Sequence, residues 1–455
     1  MAVVHNLDIT VKFLQELLAE SDPGLVVTSF QVAAGASRGD NYTATLYRLR
    51  VLGELPGRRQ PWRRSLIYKC LPADPARREA FKSDALFRNE VVFYTRALPA
   101  LLAFQGQRDV FRAVPRCYLA QSDVIVLEDL VARGFTMADR KAGLDHVHCK
   151  AVLTELARFH ALSLAMKGRE PELFHGSVSG AVTEVLFVPE NEQWYSEYYR
   201  TAAENAISMV EQTLPPGGTR SECLSRLRRL VSDGQFFSRM VAMVQPREPY
   251  AVLSHGDCWT NNILFKYSDA GDILEVCLVD FQISRYASPA LDLAYLLYCC
   301  TSLATRRAHM PALLAHYHGT VVQALSDLGA TPDRGDGQHH LRPDALWQLV
   351  PPLRGANLWI RHCRRRWRVE QRDDALLSRS LLADMRRYGR YAMGAALEMI
   401  PISTCDSDQA PDLYVASRDD AGPPGQGCAP VWASNEACRR KMADLVLELV
   451  EKGDL

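Results

Sequence analysis

The chain has 455 residues, of which 47% are hydrophobic and 23% are charged. This is the composition of a globular protein of two or three structural units, and it excludes a small stapled scaffold and a mainly disordered or fibrous chain. Because Lys and Arg number 53 and Asp and Glu also number 53, the net charge is 0, and no overall field favours nucleic acid or an anionic membrane.

The cysteines and the N-terminus indicate a cytoplasmic protein. The 12 cysteines form no C-x-x-C pair and have no zinc-type spacing, so we expect reduced thiols. Residues 1–20 carry Asp8, Lys12 and Glu16 and lack the apolar core of a signal peptide. The most apolar stretch, Leu293–Cys300, is far shorter than the roughly 20 residues that a helix needs to span a bilayer. We therefore expect no membrane span.

The sequence pattern changes along the chain. Residues from 25 to about 130 predict mostly strands with one long helix, and residues after about 144 predict mostly helices with one β-rich island. We therefore predict an α+β fold with a small β-rich N-terminal lobe, residues 1–128, and a large helical C-terminal lobe, residues 129–455.

The first lobe contains a lysine within an apolar strand. Leu66–Leu71 predicts a buried strand that includes Lys69, and a buried lysine needs a partner. Asp74 is a helix cap followed by a proline, and the helix that it starts runs through Glu90 to Tyr94. Glu90 is therefore the predicted partner of Lys69. The alternative is a surface salt bridge worth at most about 1 kcal/mol.

In the second lobe, helical spacing extends from Val152 to Leu162 and from Met442 to Val450, with Ser434 or Asn435 as the cap of the second helix. The β-rich island lies between Ala251 and Phe281.

Two stretches rich in Pro, Gly, Asp and Ser, residues 331–343 and 401–430, are predicted to be surface loops. His339–His340 has no further ligand spacing, which argues against a metal site. The basic run Arg361–Arg368 is interpreted as a solvated helix face or the rim of an acidic-substrate site, and not as a nucleic-acid surface.

Polar residues are densest in the island. The stretch Ser254–Asn262 lies between two apolar runs, and it includes Asp257 and Asn262. Asp280 follows the next predicted strand. Phosphoryl transfer from ATP needs oxygen ligands for Mg²⁺ and a carboxylate that accepts the proton of the attacking hydroxyl, and these residues supply both.

These segments resemble a known family. The sequences H-G-D-C-W-T-N-N-I-L-F (His255–Phe265) and V-D-F-Q (Val279–Gln282) resemble the catalytic and metal-binding segments of protein-kinase-like phosphotransferases, in their aminoglycoside and choline kinase branch. Together with three upstream segments, they resemble more closely the ecdysteroid kinase-like family of arthropods, also called CHK kinase-like. The upstream segments are F-R-N-E-V-V-F-Y (Phe87–Tyr94), V-P-R-C-Y (Val114–Tyr118) and V-L-E-D-L (Val126–Leu130).

The resemblance implies a role for each site residue. Asp257 would be the catalytic aspartate, and Asn262 and Asp280 the Mg²⁺ ligands. Lys69 would contact the α- and β-phosphates of ATP, with Glu90 as its helix partner.

The resemblance also implies an interlobe hinge whose backbone holds adenine, formed by Glu128, Asp129 and Leu130. Gln282 stands where protein kinases have glycine, which suggests a site without activation-loop switching. His255, His160 and Asp292 are expected to be structural, and the resemblance suggests that Asp292 braces the catalytic loop.

The phosphate loop is the weakest match, because Ala33–Tyr42 lacks the pattern G-x-G-x-x-G. It still has glycines and a serine upstream of Lys69, which suits a loop close to phosphates. The alternative is an ordinary glycine-containing β-turn. The loop residues expected at the phosphates are Gly35, Ser37, Gly39 and Asn41.

The resemblance thus implies a small-molecule kinase that uses ATP and Mg²⁺, acts on a hydroxyl of an ecdysteroid-like, steroid or xenobiotic alcohol, and is a monomer or weak oligomer. The alternatives are a choline or ethanolamine kinase and a catalytically silent binding module on the same fold. Aromatic residues that could line an acceptor pocket, or belong to the core, are Trp194, Tyr195, Tyr198, Tyr199, Trp359 and Trp367.

Overall fold

The computed structural model describes residues 9–35, 43–57, 59–330, 381, 385, 387–405 and 435–455. These residues form a smaller lobe built on an antiparallel sheet and a larger, mainly helical lobe, which confirms the predicted two-lobed α+β fold. In the described part of the chain, no helix combines the length and the apolar composition needed to cross a bilayer. The ten described cysteines are all free thiols.

Through residue 128 the elements, in chain order, are α1 (Val11–Leu18), β1 (Val26–Ala34), β2 (Thr45–Glu54), β3 (Trp62–Cys70), α2 (Pro75–Ala80), α3 (Ser83–Val92), α4 (Leu98–Gln105), β4 (Cys117–Ala120) and β5 (Val124–Glu128). The later elements are β6 (Phe135–Met137), α5 (His146–Arg169), α6 (Pro171–Phe174), α7 (Glu192–Thr213), α8 (Gly218–Ser232), α9 (Phe236–Met243), β7 (Val252–Ser254), β8 (Ile263–Tyr267), β9 (Ile273–Leu278), β10 (Arg285–Ala287), α10 (Ala290–Cys300), α11 (Leu303–Asp327), α12 (Gly389–Thr404) and α13 (Glu436–Lys452).

The sheet of the smaller lobe has the order β1-β2-β3-β5-β4, and all of its neighbouring strands are antiparallel. Lys69 therefore lies on the central strand, opposite Leu46 of β2 and Ile125 of β5. Helix α1 covers this sheet and buries Leu14 and Leu18 against it. A strand with a partner on each side holds Lys69 in a fixed position.

The predicted helix from Asp74 to Tyr94 is interrupted in the structure. Asp74 caps α2 as predicted, because its side chain accepts a hydrogen bond from the amide of Ala76. The helix ends near Lys82, which has a positive φ of 53°, and α3 starts at the next residue. The reason is burial: α2 buries no residue, whereas α3 buries several, including Glu90.

A second difference concerns the predicted surface loop 401–430. Its first residues, Pro401 to Thr404, form the last turn of α12 and are buried. A proline inside a helix removes one backbone hydrogen bond, but here apolar burial retains the helical turn. Residues 406–430 and the predicted loop 331–343 lie outside the described residues.

Helices α5 and α11 pack together, and α10 is buried along its whole length. The predicted β-rich island is present as two small sheets, β10-β7 and β6-β8-β9. The polar stretch before β8 thus connects two sheets and faces a fully buried helix. Of the two predicted caps of α13, Asn435 is the one whose side chain accepts hydrogen bonds from the first turn.

Candidate active site

The turn at Gly256 sets the path of the polar loop. Gly256 has a φ of +87°, and a Cβ atom there would lie 2.0 Å from the carbonyl oxygen of Ile283. Only glycine combines this backbone conformation with so close an approach of another chain segment. The loop is thereby pressed against the segment that follows Asp280.

Asp292 holds the same loop from the other side. Its Oδ2 accepts a hydrogen bond from the amide of His255 at 2.7 Å, and its Oδ1 accepts one from the amide of Gly256 at 2.8 Å. His160 Nε2 lies 3.1 Å from Oδ2. Burial alone would raise the pKa of Asp292, but the hydrogen bond and charge of His160 and the hydrogen bond from the Gly256 amide lower it. Asp292 is therefore an ionised brace for the loop.

His255 has a structural position. Its Nε2 lies 3.0 Å from the carbonyl oxygen of Val279, and its Nδ1 accepts a hydrogen bond from the amide of Asp257 at 3.2 Å. Burial lowers the pKa of His255, which favours the neutral ring that these two contacts require. The ring thus joins the loop to the end of β9.

Asp257 and Asn262 lie in direct contact. Asn262 Nδ2 donates to Asp257 Oδ2 at 2.9 Å and to the Asp257 carbonyl at 3.0 Å. The hydroxyl of Tyr295, on α10, donates to Asp257 Oδ1 at 2.8 Å. Burial and the charge of Asp280 raise the pKa of Asp257 to about 7. A carboxylate in this position can exchange a proton near neutral pH.

Lys69 connects the sheet, α3 and the segment after β9. Its Nζ lies 2.5 Å from Glu90 Oε2 and 2.8 Å from Asp280 Oδ1, and Lys69 and Glu90 are both buried. Burial lowers the pKa of Lys69, but the charges of Asp280 and Glu90 outweigh it and raise the pKa. Lys69 is therefore a cation. Its partner Asp280 has a left-handed backbone conformation, with a φ of 66°.

The residues after Asp280 are anchored in the core. The ring of Phe281 stacks on Phe93 with centroids 3.9 Å apart and an interplanar angle of 6°. Asn89 Nδ2 donates to the carbonyl oxygens of Gln282, at 3.0 Å, and Ser284, at 2.8 Å. The sequence reasoning missed Asn89, although it precedes Glu90 in the quoted F-R-N-E segment.

The predicted hinge residues use much of their polar capacity within the protein. The amide of Glu128 donates to Arg116 O at 2.8 Å, and that of Asp129 to Ser65 O at 3.4 Å. The Asp129 carboxylate accepts from Arg48 Nε at 2.7 Å. An adenine contact here must therefore use carbonyl oxygens or the amide of Leu130.

Of the predicted phosphate-loop residues, the structure describes Gly35 alone. The Gly35 amide donates to Leu46 O at 2.9 Å, and a Cβ atom there would lie 2.9 Å from Leu46 C and 3.0 Å from Tyr47 N. Gly35 thus allows the end of β1 to approach β2 closely. Three of the predicted loop residues lie outside the described residues, namely Ser37, Gly39 and Asn41.

The predicted aromatic residues of α7 divide into two groups. Tyr195 and Tyr199 are buried, whereas Trp194 and Tyr198 keep accessible surface and stack with centroids 5.9 Å apart. The other two predicted aromatics, Trp359 and Trp367, the basic run Arg361–Arg368 and the pair His339–His340 lie outside the described residues.

Two half-buried acids near the site were not predicted. Glu184 Oε2 lies 2.6 Å from Nε of Arg285, whose Nη1 donates to Tyr391 OH at 2.9 Å. Glu398, on α12, accepts a hydrogen bond from Tyr198. Neither acid belongs to a recognisable motif. Among the described residues, no group of three His, Cys, Asp or Glu side chains is arranged to hold a metal ion.

Two solved structures and one family model are similar to this chain. A spectinomycin phosphotransferase, solved with ADP and spectinomycin, is 10% identical and aligns over 99% of this chain and 100% of its own with a TM-score of 0.39. A ternary complex of streptomycin, ATP and APH(2")-IIa is 11% identical over 71% of this chain and 92% of its own, with a TM-score of 0.29. No curated protein matches the sequence.

The model of the ecdysteroid kinase-like family matches residues 38–330. This range includes Lys69, Glu90, Asp257 and Asp280 and covers more than half of the chain. The protein is therefore a small-molecule phosphotransferase that belongs to the ecdysteroid kinase-like family.

Proposed function

We propose that the protein transfers the γ-phosphoryl group of ATP, with Mg²⁺, to a hydroxyl of an ecdysteroid-like, steroid or xenobiotic alcohol. The observation that carries the proposal is the contact of Lys69 with both Glu90 and Asp280, beside the Asp257–Asn262 pair. Residues far apart in sequence thus form one buried polar site with a fixed cation and a base.

Each side chain has a task in this proposal. Lys69 binds the α- and β-phosphates, and Glu90 and Asp280 hold its ammonium group in place. Asp257 accepts the proton of the acceptor hydroxyl, while Tyr295 and Asn262 orient its carboxylate. The acceptor oxygen forms a bond to the γ-phosphorus, the bond from that phosphorus to the β–γ bridging oxygen breaks, and ADP leaves with the bridging oxygen.

The donor set fits Mg²⁺. Asn262 uses its Nδ2 on Asp257, which leaves its amide oxygen as a ligand, and Asp280 supplies a carboxylate. These are the hard oxygen donors that Mg²⁺ prefers. When bound, Mg²⁺ would offset the negative charge of the phosphates.

A catalytically silent binding module is the rival from another class. Such a module would not need a base whose pKa lies near 7 in contact with an orienting amide and a tyrosine hydroxyl. The intact set of contacts around Asp257 and Lys69 therefore favours catalysis.

The first test is ATP consumption by the purified protein with Mg²⁺ and a panel of ecdysteroids, other hydroxylated steroids, plant glycosides, choline and ethanolamine. We expect acceptor-dependent turnover that the Asp257→Asn variant reduces by about 10²- to 10⁴-fold, because the base is lost. ATP affinity should be unchanged in this variant. The exposed Asp269→Asn substitution is the matched control.

Turnover by the Asp257→Asn variant at the wild-type rate would contradict the assigned base. Nucleotide binding by the wild-type protein without turnover on any acceptor would favour the binding module.

A further inference from the structure

Glu398 is an acid that keeps accessible surface within a buried helix. All residues of α12 are buried except Arg390, near its start, and Glu398. Acids are rarely placed among apolar side chains without a partner, because burial of a charge is costly. Its position therefore needs an explanation.

Glu398 lies near the proposed catalytic base. Helix α12 packs against α10, which carries Tyr295, and against α7, which carries Tyr198. Tyr198 donates a hydrogen bond to Glu398, and the charge of Glu398 acts on Tyr295, the residue that donates to Asp257. Burial, together with the charge of Asp257, raises the pKa of Glu398 to about 7. The two acids are thus close enough to interact.

Glu398 retains unused capacity to accept hydrogen bonds. A carboxylate offers about four lone-pair positions, and the hydroxyl of Tyr198 occupies one of them. Among the described residues, no Lys, Arg or His forms an ion pair with Glu398. The nearby cation Arg285 is already paired with Glu184. One more hydrogen-bond donor would satisfy this acid.

The neighbouring surface suits a ligand with an apolar body. Trp194 and Tyr198 stack with an interplanar angle of 4° and keep accessible surface, so they present an aromatic wall beside Glu398. In the loop Ser254–Asn262, the side chain of Asn261 is buried, and its two amide atoms have no hydrogen-bond partner among the described residues.

The helix that carries Glu398 lies outside the range of the family match. That match ends at residue 330, and α12 begins at Gly389. The acid is therefore supplied by a part of the chain that the family model does not cover. A difference in substrate choice within the family can arise from such a segment.

We propose that Glu398 binds the acceptor by accepting a hydrogen bond from a second donor group, next to the hydroxyl that is phosphorylated. The proposal rests on the proposed function. It defines the acceptor class as molecules with two donors, either polyhydroxylated alcohols or amino alcohols with N–H groups. The Trp194–Tyr198 wall contacts the apolar part of the acceptor.

The test compares the wild-type protein with Glu398→Gln, which keeps the side-chain shape and removes the charge. The probes are ecdysone, the monohydroxy steroid pregnenolone, ethanolamine, and choline, which has no N–H group. Ecdysone and ethanolamine are the two-donor probes, and pregnenolone and choline are their respective one-donor counterparts. We expect the variant to lose roughly 10- to 100-fold in kcat/KM for the two-donor probe that the enzyme uses, and little for its one-donor counterpart. Glu204→Gln, at an exposed position of α7, is the matched control.

A loss confined to ecdysone, relative to pregnenolone, would indicate a polyhydroxylated acceptor. A loss confined to ethanolamine, relative to choline, would indicate an amino alcohol. Because Glu398 has a binding role in this proposal, the melting temperature and the ATP affinity of Glu398→Gln should equal those of the wild type. A purely structural role would instead lower the melting temperature. Equal losses on one-donor and two-donor probes would overturn the proposal.

A binding measurement separates this proposal from the proposed function. The Kd of each probe is measured on the Asp257→Asn protein with ATP, with and without Glu398→Gln. A Kd for a two-donor probe that depends on Glu398 would support the acceptor site. This result does not need turnover, so it would stand even if the phosphotransfer proposal failed. Binding of none of the four probes, or a Kd independent of Glu398, would overturn the acceptor site.

Discussion

Asp257 and Asp292 are buried carboxylates on the two sides of one loop, and their pKa values shift in opposite directions. Burial by itself would raise the pKa of both carboxyl groups. Asp292 accepts hydrogen bonds from two backbone amides and lies beside His160, so the ionised form is favoured overall. Among the described residues, the side-chain donors to the Asp257 carboxylate are a neutral hydroxyl and an amide, and Asp280 repels its charge. Asp292 therefore stays ionised, whereas Asp257 can take up a proton.

The Asp292→Asn substitution tests the role of Asp292 as a brace. The substitution replaces one of the two accepting oxygens by an NH2 group, so the backbone amide of either His255 or Gly256 faces a donor in place of an acceptor. One unsatisfied buried donor costs about 1–3 kcal/mol, and we expect the free energy of unfolding to fall by that amount in urea denaturation at pH 7. Asp269→Asn, at an exposed position, should change the free energy little.

The pH dependence of the same pair provides a second measurement. The pKa of Asp292 is lowered in the folded protein, relative to about 3.9 in the unfolded chain. Its stabilisation is thus complete above about pH 4 and is lost as the pH falls through the folded-state pKa. The stability difference between wild type and Asp292→Asn should narrow below about pH 4. A difference that stays constant in acid would contradict the brace.

At the scale of elements, one turn determines how the loop Ser254–Asn262 meets the segment after Asp280. We expect Gly256→Ala to destabilise the protein more than Gly234→Ala does. Both glycines have positive φ, so both substitutions carry a backbone cost of about 1–2 kcal/mol. Only at Gly256 would the Cβ atom overlap another backbone, at 2.0 Å from Ile283 O, whereas nothing lies within 4 Å at Gly234.

Thermal unfolding and ATP turnover measure this difference. Gly256→Ala should lose at least about 2 kcal/mol more than Gly234→Ala, together with activity, since the loop must move. Equal losses in the two variants would show that the close approach to Ile283 does not constrain the loop.

The sequence predicts elements whose signals are local. The strand around Lys69 and the caps Asp74 and Asn435 follow from short patterns, and the structure contains them. The break at Lys82 was not predicted, because the sequences of the exposed helix α2 and the buried helix α3 both favour a helix locally. Tertiary burial, and not propensity, decides where that helix stops.

The site shows the same limit. Residues within motifs, such as Asp257 and Asn262, could be named from the sequence because their spacing is short. Glu398 could not, because it lies 141 positions beyond Asp257 in sequence and reaches the site only through the packing of α12 on α7 and α10. No local sequence pattern shows whether an acid on an apolar helix lies at a binding site or in solvent.

At the scale of the whole molecule, contacts between distant residues attach the lobes and close the helical core. Lys69 of the sheet and Asn89 of α3 both contact the segment from Asp280 to Ser284. In the helical lobe, Arg306 of α11 and Glu448 of α13 form a buried ion pair at 2.5 Å. These pairs fix the position of α3 and α13 relative to the rest of the chain.

The Arg306–Glu448 pair allows a double-mutant test of how α13 is held. Replacing one partner, in Arg306→Met, leaves a buried carboxylate with only Lys452, which is partly exposed, and should cost about 3–5 kcal/mol in urea denaturation. The double variant Arg306→Met/Glu448→Met removes both charges and should recover most of that loss, because a buried pair adds little over apolar side chains of similar volume.

The exposed pair Arg440–Glu436 on the same helix is the matched control, and its loss should cost at most about 1 kcal/mol. If the double variant were as unstable as Arg306→Met, the pair would stabilise the attachment of α13 through its hydrogen bonds, including that of Arg306 to the carbonyl of Thr301. Recovery would instead show that apolar packing of α13 on α7 and α12 holds the helix, and that the ion pair determines only how it is oriented.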